Sequence, residues 1–118
     1  MELTVTLRMM REQCIENGGF TWFRGASVFA SSGYVVGVAD GDWRVVNTST
    51  PSESEIYEAL RDLPDYATGF GAWVDGSRTV FDPIQVFSNV DDAMSAARAY
   101  GQTHIYDLTN GATLETVA

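Results

Sequence analysis

The sequence predicts an α/β chain of the α+β kind: a mostly antiparallel sheet built from hairpins, with about three helices, in the order α-β-β-β-α-β-β-α-β-β. Two observations carry this. Apolar residues recur at helical spacing in three stretches, each closed by a glycine or proline stop. Between them, aromatic and β-branched runs flank the turn signals Asp40-Gly41, Asp75-Gly76 and Thr109-Asn110-Gly111. Hairpins make antiparallel pairs, and helices cover such a sheet.

The first helix is read from Leu3, Leu7, Met10 and Cys14 on one stripe, with Arg8, Glu12 and Glu16 opposite. Asn17-Gly18-Gly19 stops it, since glycine takes the left-handed conformation of a C-cap. Cys14 falls on the apolar stripe, so a buried, inert thiol is expected. Phe20 to Phe23 is a short strand, and the small, polar segment from Arg24 to Ser32 has no clear state. Gly33 opens the strand Tyr34 to Val38, which the Asp40-Gly41 turn returns through Trp43 to Val46 as a hairpin.

Thr50-Pro51-Ser52-Glu53 reads as a capping box with Pro at the first helical position. Ile56, Ala59, Leu60 and Leu63 form the buried stripe of this second helix, and Pro64 ends it. A second hairpin joins Phe70–Val74 to Arg78–Phe87, and a two-residue Asp75-Gly76 loop sets Trp73 opposite Arg78 and Phe70 opposite Phe81. Asp82-Pro83 within the returning strand marks an edge or a bulge. Ser88 or Asn89 caps the third helix, whose inner face carries Val90, Ala93, Met94, Ala97 and Tyr100 and which Gly101 ends. Asp91 and Asp92 occupy its first turn, where the dipole favours acids.

The last hairpin runs from Thr103 to Val117, and a three-residue loop pairs Leu108 with Ala112 and Tyr106 with Leu114. Stretches 33–46 and 69–81 echo each other, either as repeated hairpin–helix units or as two hairpins under the same turn rules. Trp22, Trp43 and Trp73 all fall on expected strands, and at least one should be half-exposed on a contact surface.

At 118 residues the chain is expected to form a single domain, 1–118. Sixteen Asp and Glu against seven basic residues, all of them Arg, leave a net charge of −9. The imbalance is concentrated: residues 51–118 hold three arginines against eleven acids, a net of −8. Such a chain repels phosphate backbones and anionic membranes, so neither nucleic acid nor membrane is an expected direct partner. One Cys excludes an intramolecular disulfide framework and a cysteine-cluster metal site. The Met-Glu-Leu-Thr start lacks the pattern of a signal peptide and no stretch reaches membrane-spanning length, so a cytoplasmic protein is expected.

No catalytic constellation, cofactor or metal site is expected. His104 is the only histidine, and it begins a strand whose face also carries Tyr106 and Leu108, which suits a partly buried or edge residue. Gly69-Phe70-Gly71 is followed by neither a basic residue nor a helix start at phosphate-loop spacing. A paired-carboxylate enzyme needs two acids flanking a cleft. Here Asp40, Asp42 and Asp75 sit in expected turns, Asp91 and Asp92 at a helix start, and a small domain offers little depth.

The candidate partner-binding residues are Glu55, Glu58 and Asp62, which line one side of the second helix over roughly 10 Å, with Asp65 continuing the line. That spacing is compatible with mimicry of DNA phosphates; a solvated face kept soluble by charge, with Arg61 beside Glu58, is the other reading.

Asn17-Gly18-Gly19-Phe20, Gly33-Tyr34-Val35-Val36-Gly37-Val38 and the stretch 91–108 ending in Gln102-Thr103-His104-Ile105-Tyr106-Asp107-Leu108 resemble small acidic proteins of actinobacterial bacteriophages and related mobile elements. The resemblance implies a setting in the host cell cytoplasm and an action by binding and inhibiting host or defence machinery. The expected function is therefore that of a non-enzymatic acidic binding protein that modulates a basic protein surface, in its sharpest form a DNA mimic acting on a nucleic-acid-binding host protein. The alternative is a structural or assembly protein that self-associates into a homo-oligomer through aromatic residues.

Overall fold

A ten-residue strand, Arg78–Phe87 (β5), is the spine around which the sheet is assembled. The structure, a computed structural model, describes residues 5–39 and 42–116. Leu3 of the first stripe, the Asp40-Gly41 turn and Val117 lie outside the described residues. The element order is α1 (Leu7–Asn17), β1 (Gly19–Phe23), β2 (Tyr34–Gly37), β3 (Arg44–Val46), α2 (Glu53–Arg61), β4 (Gly69–Asp75), β5, α3 (Val90–Ala99), β6 (His104–Asp107) and β7 (Ala112–Glu115). This is the α+β order that the sequence predicts. The sheet runs β1-β4-β5-β2-β6-β7 with β3 also on β5, and every pairing is antiparallel.

Strand β5 is long enough to hold two partners end to end on one side. β3 pairs with Thr79–Phe81 and β2 with Ile84–Phe87. The expected β2–β3 hairpin is thus corrected: both strands run antiparallel to β5, one after the other, and the chain between them crosses a fork. With that hairpin goes the repeat suggested by the echo of stretches 33–46 and 69–81. Pro83 sits at the fork. Its carbonyl accepts from Val38 N at 3.1 Å, so its amide-less nitrogen faces the side where β3 has ended. The proline therefore interrupts no ladder, and β5 is the central strand rather than an edge.

The β4–β5 turn is Gly76-Ser77, with Asp75 opposite Arg78, Trp73 opposite Val80 and Phe70 opposite Pro83. Gly76 has φ of 61°, the conformation a two-residue turn with glycine in its first central position requires. The expected pairs are therefore each displaced by two residues, which keeps every side chain on its face. The last hairpin differs more. Asp107 pairs with Ala112 and Ile105 with Leu114 around a four-residue loop. The buried Asp107 carboxylate closes that loop by accepting from Asn110 N and Nδ2 at 3.2 and 2.7 Å. Ile105 thus takes the core position expected of Tyr106, and Tyr106 and His104 face outward.

Helix α1 starts at Leu7, where Thr6 Oγ1 accepts from Met9 N, and ends at Gly18 with φ of 77°. Helix α2 is capped two residues later than expected. Ser52 Oγ accepts from Glu55 N at 3.1 Å, and the Glu55 carboxylate accepts from Ser52 N at 2.9 Å. Pro51 and Ile56 occupy the two positions of a hydrophobic staple, and both are buried. Ser52→Ala should consequently cost about 1 kcal/mol in a denaturant titration, whereas Thr50→Ala, at an exposed position before the cap, should stay within about 0.5 kcal/mol. Helix α3 is capped by Asn89, whose Oδ1 accepts from Asp91 N and Asp92 N.

Two cores form on one face of the sheet. Met10 and Cys14 of α1, Ile56 and Ala59 of α2 and Leu63 just beyond its C-cap pack over Phe20, Trp22, Phe70, Ala72 and Phe81. Ala93 and Ala97 of α3 pack over Val36 and Ile105. Burial pushes the Cys14 thiol up to about 11, so the thiol stays protonated and inert. No helix among the described residues is long and apolar enough to cross a membrane.

Candidate functional site

Strand alternation puts the residues between those core positions on the opposite face. The register places Thr21, Gly71, Asp82 and Ile84 there, with Gly37 on β2 and His104 and Tyr106 on β6. All three helices bury their apolar stripes on the other side, and of their described residues only Gln13 and Asn17 of α1 reach the rim of this face. It forms an open hollow of about 790 Å³. Its volume falls within the range of ligand sites, although it is an open depression rather than a closed cleft.

Missing side chains contribute to its shape. Gly71 stands directly opposite Asp82, and Gly37 opposite Ile84. A Cβ at Gly71 would meet only Ile84, at 3.4 Å, and one at Gly37 only the Gln102 amide, at 3.6 Å or more, among side chains. Gln102 Nε2 in turn donates to Ala39 O at 2.6 Å and pins the chain leaving β2. Trp73 stands on β4 and Tyr106 on β6, three strands apart and toward opposite ends of β5, since Trp73 pairs with Val80 whereas Tyr106 pairs with Val35, itself opposite Val86. Both aromatic residues are two-fifths exposed. Trp73, not the buried Trp22, is thus the half-exposed tryptophan that the composition called for.

At the fork between β2 and β3 lies Asp82, 8 % exposed, on the floor of the hollow. Its carboxylate accepts one long hydrogen bond, from Trp43 N at 3.4 Å, and makes no ion pair with a described residue. Burial drives its pKa from 3.8 up to about 7, the Asp42 charge adds to the shift, and the Trp43 amide opposes it. Asp42 also lines the hollow and reaches Arg78 at 3.4 Å. His104 is exposed rather than partly buried, with Nδ1 2.9 Å from Thr103 Oγ1 and Nε2 3.9 Å from Glu115. Among the described residues, no three His, Cys, Asp or Glu side chains converge as a metal site.

The four acids of the second helix do not act as one row. The Glu55 carboxylate is held by the capping box. Asp62 is the C-cap residue, and its carboxylate accepts from Arg44 at 2.7 Å and Arg61 at 3.2 Å, bonds that hold its pKa below the usual value. Glu58 and Asp65 are exposed and form no ion pair with a described residue, and Asp65 lies past the end of the helix.

Sequence reasoning did not single out Asp82, Gly71 or Tyr106. The available signal was an acid set between Val80 and Ile84 in an apolar strand, sharing their face. No protein family matches the chain, and neither a curated protein nor a solved structure does.

Proposed function

We propose that this protein is a non-enzymatic acidic binding protein that inhibits or modulates a basic protein surface through the carboxylates of its helix layer. What supports the reading is how the fold uses its positive charge. Arg8, Arg44, Arg61 and Arg78 are each held by acids of the chain, and Arg24 donates to the Pro64 and Ala67 carbonyls. Glu53, Glu58, Asp65, Asp91 and Asp92 are exposed and make no ion pair with a described residue, so the excess charge faces solvent on the helix side. An unneutralised field of this kind steers a basic partner into encounter. A phage-encoded antagonist in the host cytoplasm, acting on a nucleic-acid-binding protein as a DNA mimic, is the specific form of the proposal.

The test is a charge variant, Glu53→Gln, Glu58→Gln and Asp65→Asn together, which spares the cap at Glu55 and the ion pairs of Asp62. Stability should change by less than about 0.5 kcal/mol. Capture of a basic host protein at low salt, identified and then remeasured with purified components, should weaken through a slower on-rate in the variant and vanish at high salt. A partner held equally well by the variant, with no salt dependence, overturns the reading.

A second reading has its own support. Phe23, Trp73 and Tyr106 are exposed on the helix-free face, where a second copy could cover them. Self-association that sediments as a homo-oligomer and is lost in Trp73→Ala would favour assembly instead.

A further inference from the structure

Asp82 occupies a position where an apolar residue would pack at less cost. The carboxylate, 8 % exposed, accepts one 3.4 Å hydrogen bond on Oδ1, and because no side-chain oxygen among the described residues is both fully buried and unpartnered, its other oxygen remains open to the hollow. The position itself is apolar in kind, because its neighbours on the same face, Val80 and Ile84, are wholly buried. A carboxylate oxygen open to the hollow can accept from a donor that enters it.

The lining indicates what enters. Asp42 adds a second carboxylate, while no Lys or Arg faces the hollow among the described residues. Trp73, two residues along β4 from the Gly71 that faces Asp82, offers an aromatic ring beside it, and Val35, Ile84 and Leu108 supply apolar floor. Carboxylates with aromatic walls recognise an organic cation: the acid takes the charged hydrogen bonds and the rings take the charge through their faces. A metal ion would need ligands that do not converge among the described residues. An anion on this part of the floor would lie against the Asp82 and Asp42 carboxylates.

We propose that the hollow on the helix-free sheet face is a binding site for an organic cation, an alkylammonium or guanidinium head group seated on Asp82 with its alkyl stem running over Gly71 toward Trp73. This site is independent of the acidic helix layer and lies on the other side of the sheet. The same head group exists on free amines and on the lysine and arginine side chains of a protein.

The probes are agmatine, its neutral analogue n-butylurea, and a blocked tetrapeptide with one arginine, titrated calorimetrically into the whole chain. Agmatine or the peptide should bind saturably at one site, and n-butylurea should not. Tighter binding of agmatine identifies a free amine as the natural occupant; tighter binding of the peptide identifies a partner's side chain. Asp82→Asn keeps the shape and should weaken binding by about 10- to 100-fold, the loss of a charged hydrogen bond. Trp73→Ala, at an exposed site that does not hold the fold, should weaken it several-fold. The helix-side variant Glu53→Gln/Glu58→Gln/Asp65→Asn should leave it unchanged. Binding that survives in Asp82→Asn, that falls equally in the helix-side variant, or that n-butylurea matches would overturn the proposal, since each points to general attraction by a negative protein or to a neutral ligand.

Discussion

Phe81→Ala should lower the unfolding free energy by about 3–5 kcal/mol. Phe81 is fully buried on the central strand, and its ring stacks on Phe70 at 5.7 Å with the planes only 12° apart. Phe70 in turn meets the edge of Phe20 at 5.5 Å, so the three rings form a continuous aromatic layer beneath α1 and α2. Truncation removes the apolar contact and leaves a cavity that the sheet cannot close, because β4 and β3 flank the position on both sides. A domain of this size has about 5–15 kcal/mol in total, so the change consumes a large fraction of it. Tyr66→Ala, at a half-exposed position, is the control and should stay within about 0.5 kcal/mol. Equal denaturation midpoints for the two variants would show that the aromatic layer is not the core.

The helices were legible because each contributes a stripe at three- and four-residue steps, as Ile56, Ala59 and Leu63 show by their burial. Their boundaries were less so. Thr50 and Ser52 each stand three residues before a glutamate, and only the burial of Pro51 and Ile56 selects the second. Strand existence was likewise readable, but partner choice was not. A turn signal such as Asp40-Gly41 says that the chain can reverse, whereas β2 instead fills the slot between β5 and β6, a contact across many residues. The β6–β7 register turned on Asp107, a polar residue that is buried because it closes its own loop. The hollow was hidden for the same reason: Gly71, Gly37 and Asp82 are far apart in sequence, and only the register joins them.

Asp82→Asn should stabilise the protein near pH 8 by on the order of 2–4 kcal/mol and have little effect near pH 4. The folded-state pKa is raised, from 3.8 to about 7, chiefly by burial with the Asp42 charge adding to it. Between those values the native carboxyl keeps its proton while the unfolded one has lost it. Wild-type stability therefore falls as pH rises from about 4 to about 7, and levels off once both states are ionised. Asparagine has no proton to lose and can still accept from Trp43 N, so the variant lacks this slope. Other groups facing the hollow, His104 and Tyr106, together with Arg78 on its ion pairs, are present in both proteins and cancel in the difference, whereas the Asp42 charge, which helps raise the Asp82 pKa, is part of the slope being measured. Thermal unfolding of the two proteins across this range is the measurement, and the gap between their midpoints should widen with pH. A gap that stays constant would mean that Asp82 titrates as an ordinary solvated carboxylate. A widening gap, taken with the loss of agmatine binding in the same variant, marks Asp82 as a residue whose charge destabilises the empty fold and whose function is to meet a cation.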